Sequence, residues 1–101
     1  MNKAILLGTV IKKPVLHYTK NGNPLINYQI RVPKDADNER WDVINCTAFG
    51  NLAHSAVRKF EEDTKLLIIG HLQSNNYRNM NGERVYTTEV IVESQEMIDT
   101  C

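Results

Sequence analysis

The residues able to do covalent or metal chemistry are few and scattered. Cys46 lies inside an apolar strand pattern and Cys101 is the last residue, so they read as a buried thiol and a free terminal one, with no disulfide framework. His17, His54 and His71 stand far apart, with no second ligand at metal-binding spacing. Gly8, Gly22, Gly50, Gly70 and Gly82 occur singly and form no phosphate loop, and Ser55, Ser74 and Ser94 carry no nucleophile-elbow motif. Asp35, Asp37 and Glu39 alternate in a polar segment, as a solvated acidic patch does. A binding module is therefore favoured over an enzyme, and no metal or cofactor is expected. What remains is a set of rings that a core cannot use. Trp41 and Phe49 share one strand face with Val43, Asn45 and Thr47, and Tyr77 stands beside Arg78 in NNYRNMNGERVYTT. Such rings cover a partner subunit or present a π-face to a ligand.

The elements that position them follow from periodicity. Residues 2–11 form a long strand, apolar on both faces, with Gly8 expected at a bulge or bend. Asn21-Gly22 marks a hairpin turn. Residues 25–32 alternate, with Ile26, Tyr28, Ile30 and Val32 facing a core and Asn27, Gln29 and Arg31 facing away. Pro33 and KDADNER end that strand in a loop. A third strand runs from Trp41 to Phe49, with Ile44, Cys46 and Ala48 inward. Residues 51–62 repeat apolar residues at three- and four-residue spacing, which predicts the one helix, a cap on the sheet. KLLIIGHLQ and VYTTEVIVESQEMI supply the last two strands, and Tyr77 falls in the loop between them. Five strands with one helix between the third and fourth give an all-β, five-stranded oligonucleotide-binding (OB) barrel, with a small α+β sandwich as the alternative.

The net charge of zero is a sum of unlike blocks: +6 over residues 1–34, −4 over 35–63, +2 over 64–88 and −4 over 89–101. A basic stripe on a neutral molecule is thus allowed. No apolar run approaches the roughly 18 residues of a membrane span, and the basic pair follows the apolar start, the wrong order for a secretory signal. The expectation is a cytoplasmic protein of one domain, residues 1–101.

Five stretches, in order, resemble the bacterial single-stranded DNA-binding protein (SSB) family: MNKAILLG; KPVLHYTKNGNPLINYQI, with Pro14, Tyr18, Gly22 and Asn27 in step; INCTAFGNLA; IIGHL with Tyr77 and Gly82 at the family spacing; and VYTTEV. The resemblance implies an OB-fold that binds single-stranded DNA with little sequence preference, stacking bases on rings while cations track the phosphates. Phe49 and Tyr77 fall on two of the family's stacking positions. The family's third-strand tryptophan matches Val43 here, and Trp41, two residues earlier on the same face, is expected to stack instead. Of the family's cations Lys3 survives. Arg78, Arg84, Arg31, Lys34 and the Lys12-Lys13 pair are expected to meet phosphates, with Asn27 and Asn45 on the same side. Gln73, Asn75 and Asn76 replace basic residues ahead of Tyr77, and Glu61 and Glu62 replace a basic pair, so the salt dependence is expected to be shallow.

The chain stops at SQEMIDTC, where family members usually continue into a flexible tail with an acidic tip. This points to a tail-less form or a shortened chain. The family assembles through its first strand and sheet faces, and Leu67 and Ile69, opposite the core-facing Leu66 and Ile68, support a homo-oligomer, a tetramer rather than a dimer. Protection of single strands in replication, recombination or repair is the first reading, for a bacterial, phage or plasmid protein. An adaptor resembling primosomal replication protein N, with replication or restart proteins as partners, is the second, and a structural protein that buries its rings at a partner surface is the third.

Overall fold

A computed structural model describes residues 1–34, 36 and 39–98. The elements run β1 (Ala4–Val10), β2 (Val15–Tyr18), β3 (Pro24–Pro33), β4 (Trp41–Phe49), α1 (Asn51–Lys59), β5 (Lys65–Arg78) and β6 (Arg84–Met97). Five of the strands close on themselves. β1 pairs antiparallel with β5 through Ala4–Thr9, and its end, Thr9 and Val10, crosses to β3. β3 pairs with β4, β4 runs parallel to β6 at Cys46 and Thr47, and β6 returns to β5. This ring is the OB barrel that the sequence predicts. The sixth strand, β2, is short and hydrogen-bonds to β3 outside the ring. It is the first arm of the hairpin that Asn21-Gly22 signals.

The inward half of each alternation fills the barrel. Val10, Ile26, Ile30, Cys46, Leu66, Ile68 and Val90 are essentially sealed from water, each large aliphatic contributing about 1.5–3 kcal/mol by its burial. Helix α1 closes one end with Ala53, Ala56 and the residue after it, Phe60, whose ring meets Tyr28 edge-on at 5.7 Å. The Tyr28 hydroxyl donates to Gln95 Oε1 (3.0 Å), and Gln95 Nε2 donates to the Leu52 carbonyl (2.7 Å), so the buried phenol is paired and tied to the helix. The helix stops at Lys59, short of the expected residue 62, because Phe60 turns extended to reach the core.

Gly8 is no bulge: its register with Leu66 is unbroken, and the missing side chain lets β1 pass against Ile30 and the Arg31 carbonyl. The bulge lies at Ile69/Gly70, where Glu93 is the extra residue on β6. It shifts the inward positions from Val90 and Val92 to Gln95, which faces Ile68 across the ladder. A Cβ on Gly70 would sit 2.1 Å from the Ile91 carbonyl oxygen, so only glycine permits this approach. Among the described residues no helix is long and apolar enough to cross a membrane.

Candidate nucleic-acid interface

The outward half of the β3 and β4 alternation forms the floor of an open groove of about 560 Å³. Asn27 faces Thr47 across the ladder and Gln29 faces Asn45. Gln29 Nε2 donates to Asn45 Oδ1 (2.9 Å). The Thr47 hydroxyl lies 2.7 Å from Glu89 Oε2 and 2.8 Å from the Asn27 side-chain amide. It has one hydrogen, so it donates to Glu89 and accepts from Asn27 once that amide presents its NH₂. Lys12, Lys13 and His17 stand on one side of the groove and Thr87, Thr88 and Glu89 on the other. Beneath the floor, burial, helped by the nearby Glu89 charge, pushes the Cys46 thiol up to about 12, so it stays neutral and inert.

Three exposed rings lie on the same outward side as this polar floor, and none of them lines the groove itself. Trp41 and Phe49 occupy the two ends of the outward face of β4, both half exposed, and the eight residue steps between them span about 27 Å. Tyr77 lies beyond the groove on β5. It belongs to a strand and not to a loop, because β5 and β6 continue pairing to Arg78↔Arg84. The connection is the five-residue turn 79–83 with Gly82 at φ 78, where Asn79 N–H donates to Glu83 O and Asn79 Oδ1 accepts from the Asn81 and Glu83 amides. The β2–β3 turn repeats the pattern with Thr19, Asn23 and Gly22 at φ 83.

The expected cations are not gathered equally. Lys12 and Lys13 line the groove. Lys13 is held by Glu61 at 2.8 Å, Arg31 by Asp63 at 3.1 Å and Lys34 by Asp42 at 3.3 Å. The Arg31 guanidinium also stands 5.9 Å from the centre of the Trp41 ring, which orients it. Lys3 lies away from the groove. Its ammonium meets Glu93 at 2.8 Å, and His71 Nδ1 meets the other oxygen of that carboxylate at 2.8 Å. The Lys3 hydrogen bond, then the one from His71, holds the Glu93 carboxyl below the usual carboxylate range. Arg78 and Arg84 are the clearest departure. Residues alternate across the β5–β6 pair, so both arginines face away from the side that carries Tyr77. A phosphate beside a base on Tyr77 is not within their aim.

The sequence reading missed the Thr47–Glu89 contact, which joins strands far apart in the chain, and two exposed rings, Tyr18 and Tyr86. The signal for the rings was available, since each lies in a hairpin beyond the core. Asp35, Asp37 and Cys101 lie outside the described residues, and among those described no three His, Cys, Asp or Glu group as metal ligands.

Residues 1–98 match the model of the single-strand binding protein family. The chain belongs to this family. It is similar to three proteins each named single-stranded DNA-binding protein: that of Enterococcus faecalis (30% identical over 99% of this chain and 55% of the relative), of Clostridium perfringens (30%, 99% and 67%) and of Bacillus cereus (32%, 98% and 61%). The chain thus spans little more than half to two thirds of the length of these relatives. Family membership accounts for the OB barrel.

Proposed function

We propose that this protein binds single-stranded DNA with little sequence preference and covers exposed strands during replication, recombination or repair in the cytoplasm. The observation that carries this is the set of exposed aromatics, Trp41, Phe49 and Tyr77, on the outward side that also holds an open groove floored with amides and hydroxyls. A ring stacks on any base, which gives affinity without readout, and an amide floor can donate to phosphates or accept from base edges. Among the described residues Lys12 has no ion-pair partner, and it can meet a phosphate directly. Lys13, Arg31 and Lys34 do so only by exchanging a carboxylate of the protein for a phosphate of the strand, so few counterions are released and the salt dependence is shallow. The names of the relatives agree with this reading.

We also infer a homo-oligomer, with a tetramer expected from the family resemblance. Ile5 and Leu7 are 66% and 58% exposed on β1 and lie directly across from Ile69 and Leu67. Among the described residues the edge of β1 from Ala4 to Gly8 is unpaired on the side away from β5, because β3 meets it only at Thr9 and Val10.

Titration of Trp41 fluorescence with oligo-dT tests the function. Binding should quench the indole, and Tyr77→Ala should weaken binding by about 1–3 kcal/mol, equally on dT and mixed sequence. No quench and no retention of DNA would overturn the proposal, and a strong sequence dependence would overturn the stacking mechanism.

A further inference from the structure

Arg31 lies between an acid and a ring. At its position β3 runs between two strands, paired with Thr9 of β1 on one side and Val43 of β4 on the other. Trp41 is two residues from Val43 on the same outward face, the diagonal neighbour that a long side chain reaches across a ladder. The Arg31 guanidinium stands over the indole, 5.9 Å from its centre, while Nη2 donates to Asp63 Oδ1 (3.1 Å).

Asp63 is anchored in turn. Among the described residues it is the one non-glycine with positive φ, at 72, a conformation that Asp and Asn enter more readily than most residues. Its N–H donates to the Val10 carbonyl (2.8 Å). This bond ties the connection between α1 and β5 to the end of β1, next to the Thr9–Arg31 pair. The carboxylate therefore rests on the frame of the barrel. A long arginine side chain gives up much rotamer freedom when it is fixed, and this carboxylate fixes it. The pair is exposed, so it adds little to the stability of the fold. Its consequence is local: a planar cation is held in place against a half-exposed indole at the start of β4.

We propose that Asp63 is a positioning residue for DNA binding. Acting through Arg31, it sets the Trp41 indole with one face toward the guanidinium and the other open to a base. Arg31 is then a strut and not a phosphate ligand, and it keeps its carboxylate when the strand binds. The inference rests on the single-stranded DNA reading above and deepens it, since it names the groups that orient the ring standing two residues from the family's third-strand tryptophan.

Trp41 is the only tryptophan, so its fluorescence reports this one position. Asp63→Asn removes the charge, and asparagine still adopts the positive φ. The control is Glu62→Gln, which takes the same charge from the same connection at an exposed residue with no ion pair among those described. Relative to that control, Asp63→Asn should lower the fluorescence anisotropy of Trp41 in the free protein. It should also weaken oligo-dT binding about two- to fivefold, the equivalent of one exposed cation–π contact. The slope of log affinity against log salt should stay the same. Arg31→Lys keeps a cation able to meet a phosphate but loses the planar group over the ring, and it should lose anisotropy and affinity alike. Thermal melting confirms that each variant is folded. If Asp63→Asn binds as tightly as the control or more tightly, with a slope steeper by about 0.7, the proposal is overturned and Arg31 is a phosphate ligand released from its acid. Unchanged anisotropy would also overturn it, as would a fall in anisotropy without loss of binding, or wild-type affinity in Arg31→Lys. If the wild type does not bind oligo-dT but Asp63→Asn still loosens the indole, the hold on Trp41 stands and the DNA reading falls. Neither binding nor a change in anisotropy would sink both.

Discussion

Two outward faces of this barrel are built alike and finished differently. On β3 and β4 the residues that alternate with the core are Asn27, Gln29, Asn45 and Thr47, with rings only at the ends of the strand. On β1 and β5 they are Ile5, Leu7, Leu67 and Ile69, stacked as cross-strand pairs. The first face satisfies its polar groups sideways, Gln29 on Asn45 and Thr47 on Glu89, and keeps donors and lone pairs for something wet and charged. The second has nothing to offer a ligand except removal from water, and it sits beside an open strand edge. The pleat is the same, and the alternate residue decides whether a face suits a nucleic acid or a second copy of the chain.

The largest effect should come from spoiling the dry face. Leu7→Asp puts a charge where self-association would bury about 1.5–3 kcal/mol of leucine side chain, and desolvating the carboxylate adds to the loss. Light scattering at micromolar concentration should find an oligomer for the wild type and a smaller species for the variant. Quenching of Trp41 by a short oligonucleotide should persist, because the groove lies on other strands. A folded variant of unchanged mass would refute the assignment of this face. A folded variant that no longer binds the short strand would show that the two faces are not separable.

Much of this contrast was legible in the alternation. The inward residues of β3 and β4, the outward rings Trp41 and Phe49 and the aliphatic pair Leu67 and Ile69 all follow from a period of two, which is local. What the sequence hid depends on contacts between distant strands. The bulge at Glu93 answers to the shape of the closed ring, and the Thr47–Glu89 contact requires knowing that β4 and β6 run side by side. Tyr77 was read as a loop residue because NNYRNMNG carries turn-formers throughout. The ladder nonetheless reaches Arg78, since side chains such as Asn75 and Asn79 satisfy the exposed backbone and Glu89 locally. That same extension turned Arg78 and Arg84 away from Tyr77, a consequence that follows at once when the segment is a strand and is invisible when it is a loop.

A smaller effect should appear on the wet face when its internal ion pairs are relieved. Lys13 is engaged by Glu61 at 2.8 Å in an exposed pair, which contributes about 0–1 kcal/mol to the fold. Glu61→Gln should therefore cost little stability while freeing one cation beside the groove. The slope of log affinity against log salt for oligo-dT should steepen by about 0.7, the contribution of one phosphate contact on a single strand. Affinity at low salt should rise with it, while oligomer mass should not move. An unchanged slope would mean that Lys13 does not reach the strand.

The smallest effect concerns the rim of the dry face, where Lys3 and His71 both bind Glu93. The Glu93 carboxyl is held below the usual carboxylate range, chiefly by the Lys3 hydrogen bond. The folded state therefore favours its ionised form more than the unfolded chain does. The resulting stability is present above the ordinary glutamate value of about 4.3 and is lost as pH falls through the lower folded value. Glu93→Gln should flatten the decline of the melting midpoint on the acid side, with a modest drop near neutrality because the group is exposed to solvent. Self-association should remain, because the aliphatic pairs do not titrate. If Glu93→Gln instead dissolves the oligomer at neutral pH, the rim and not the aliphatic centre holds the copies together, and the division between a wet charged face and a dry apolar one must be redrawn.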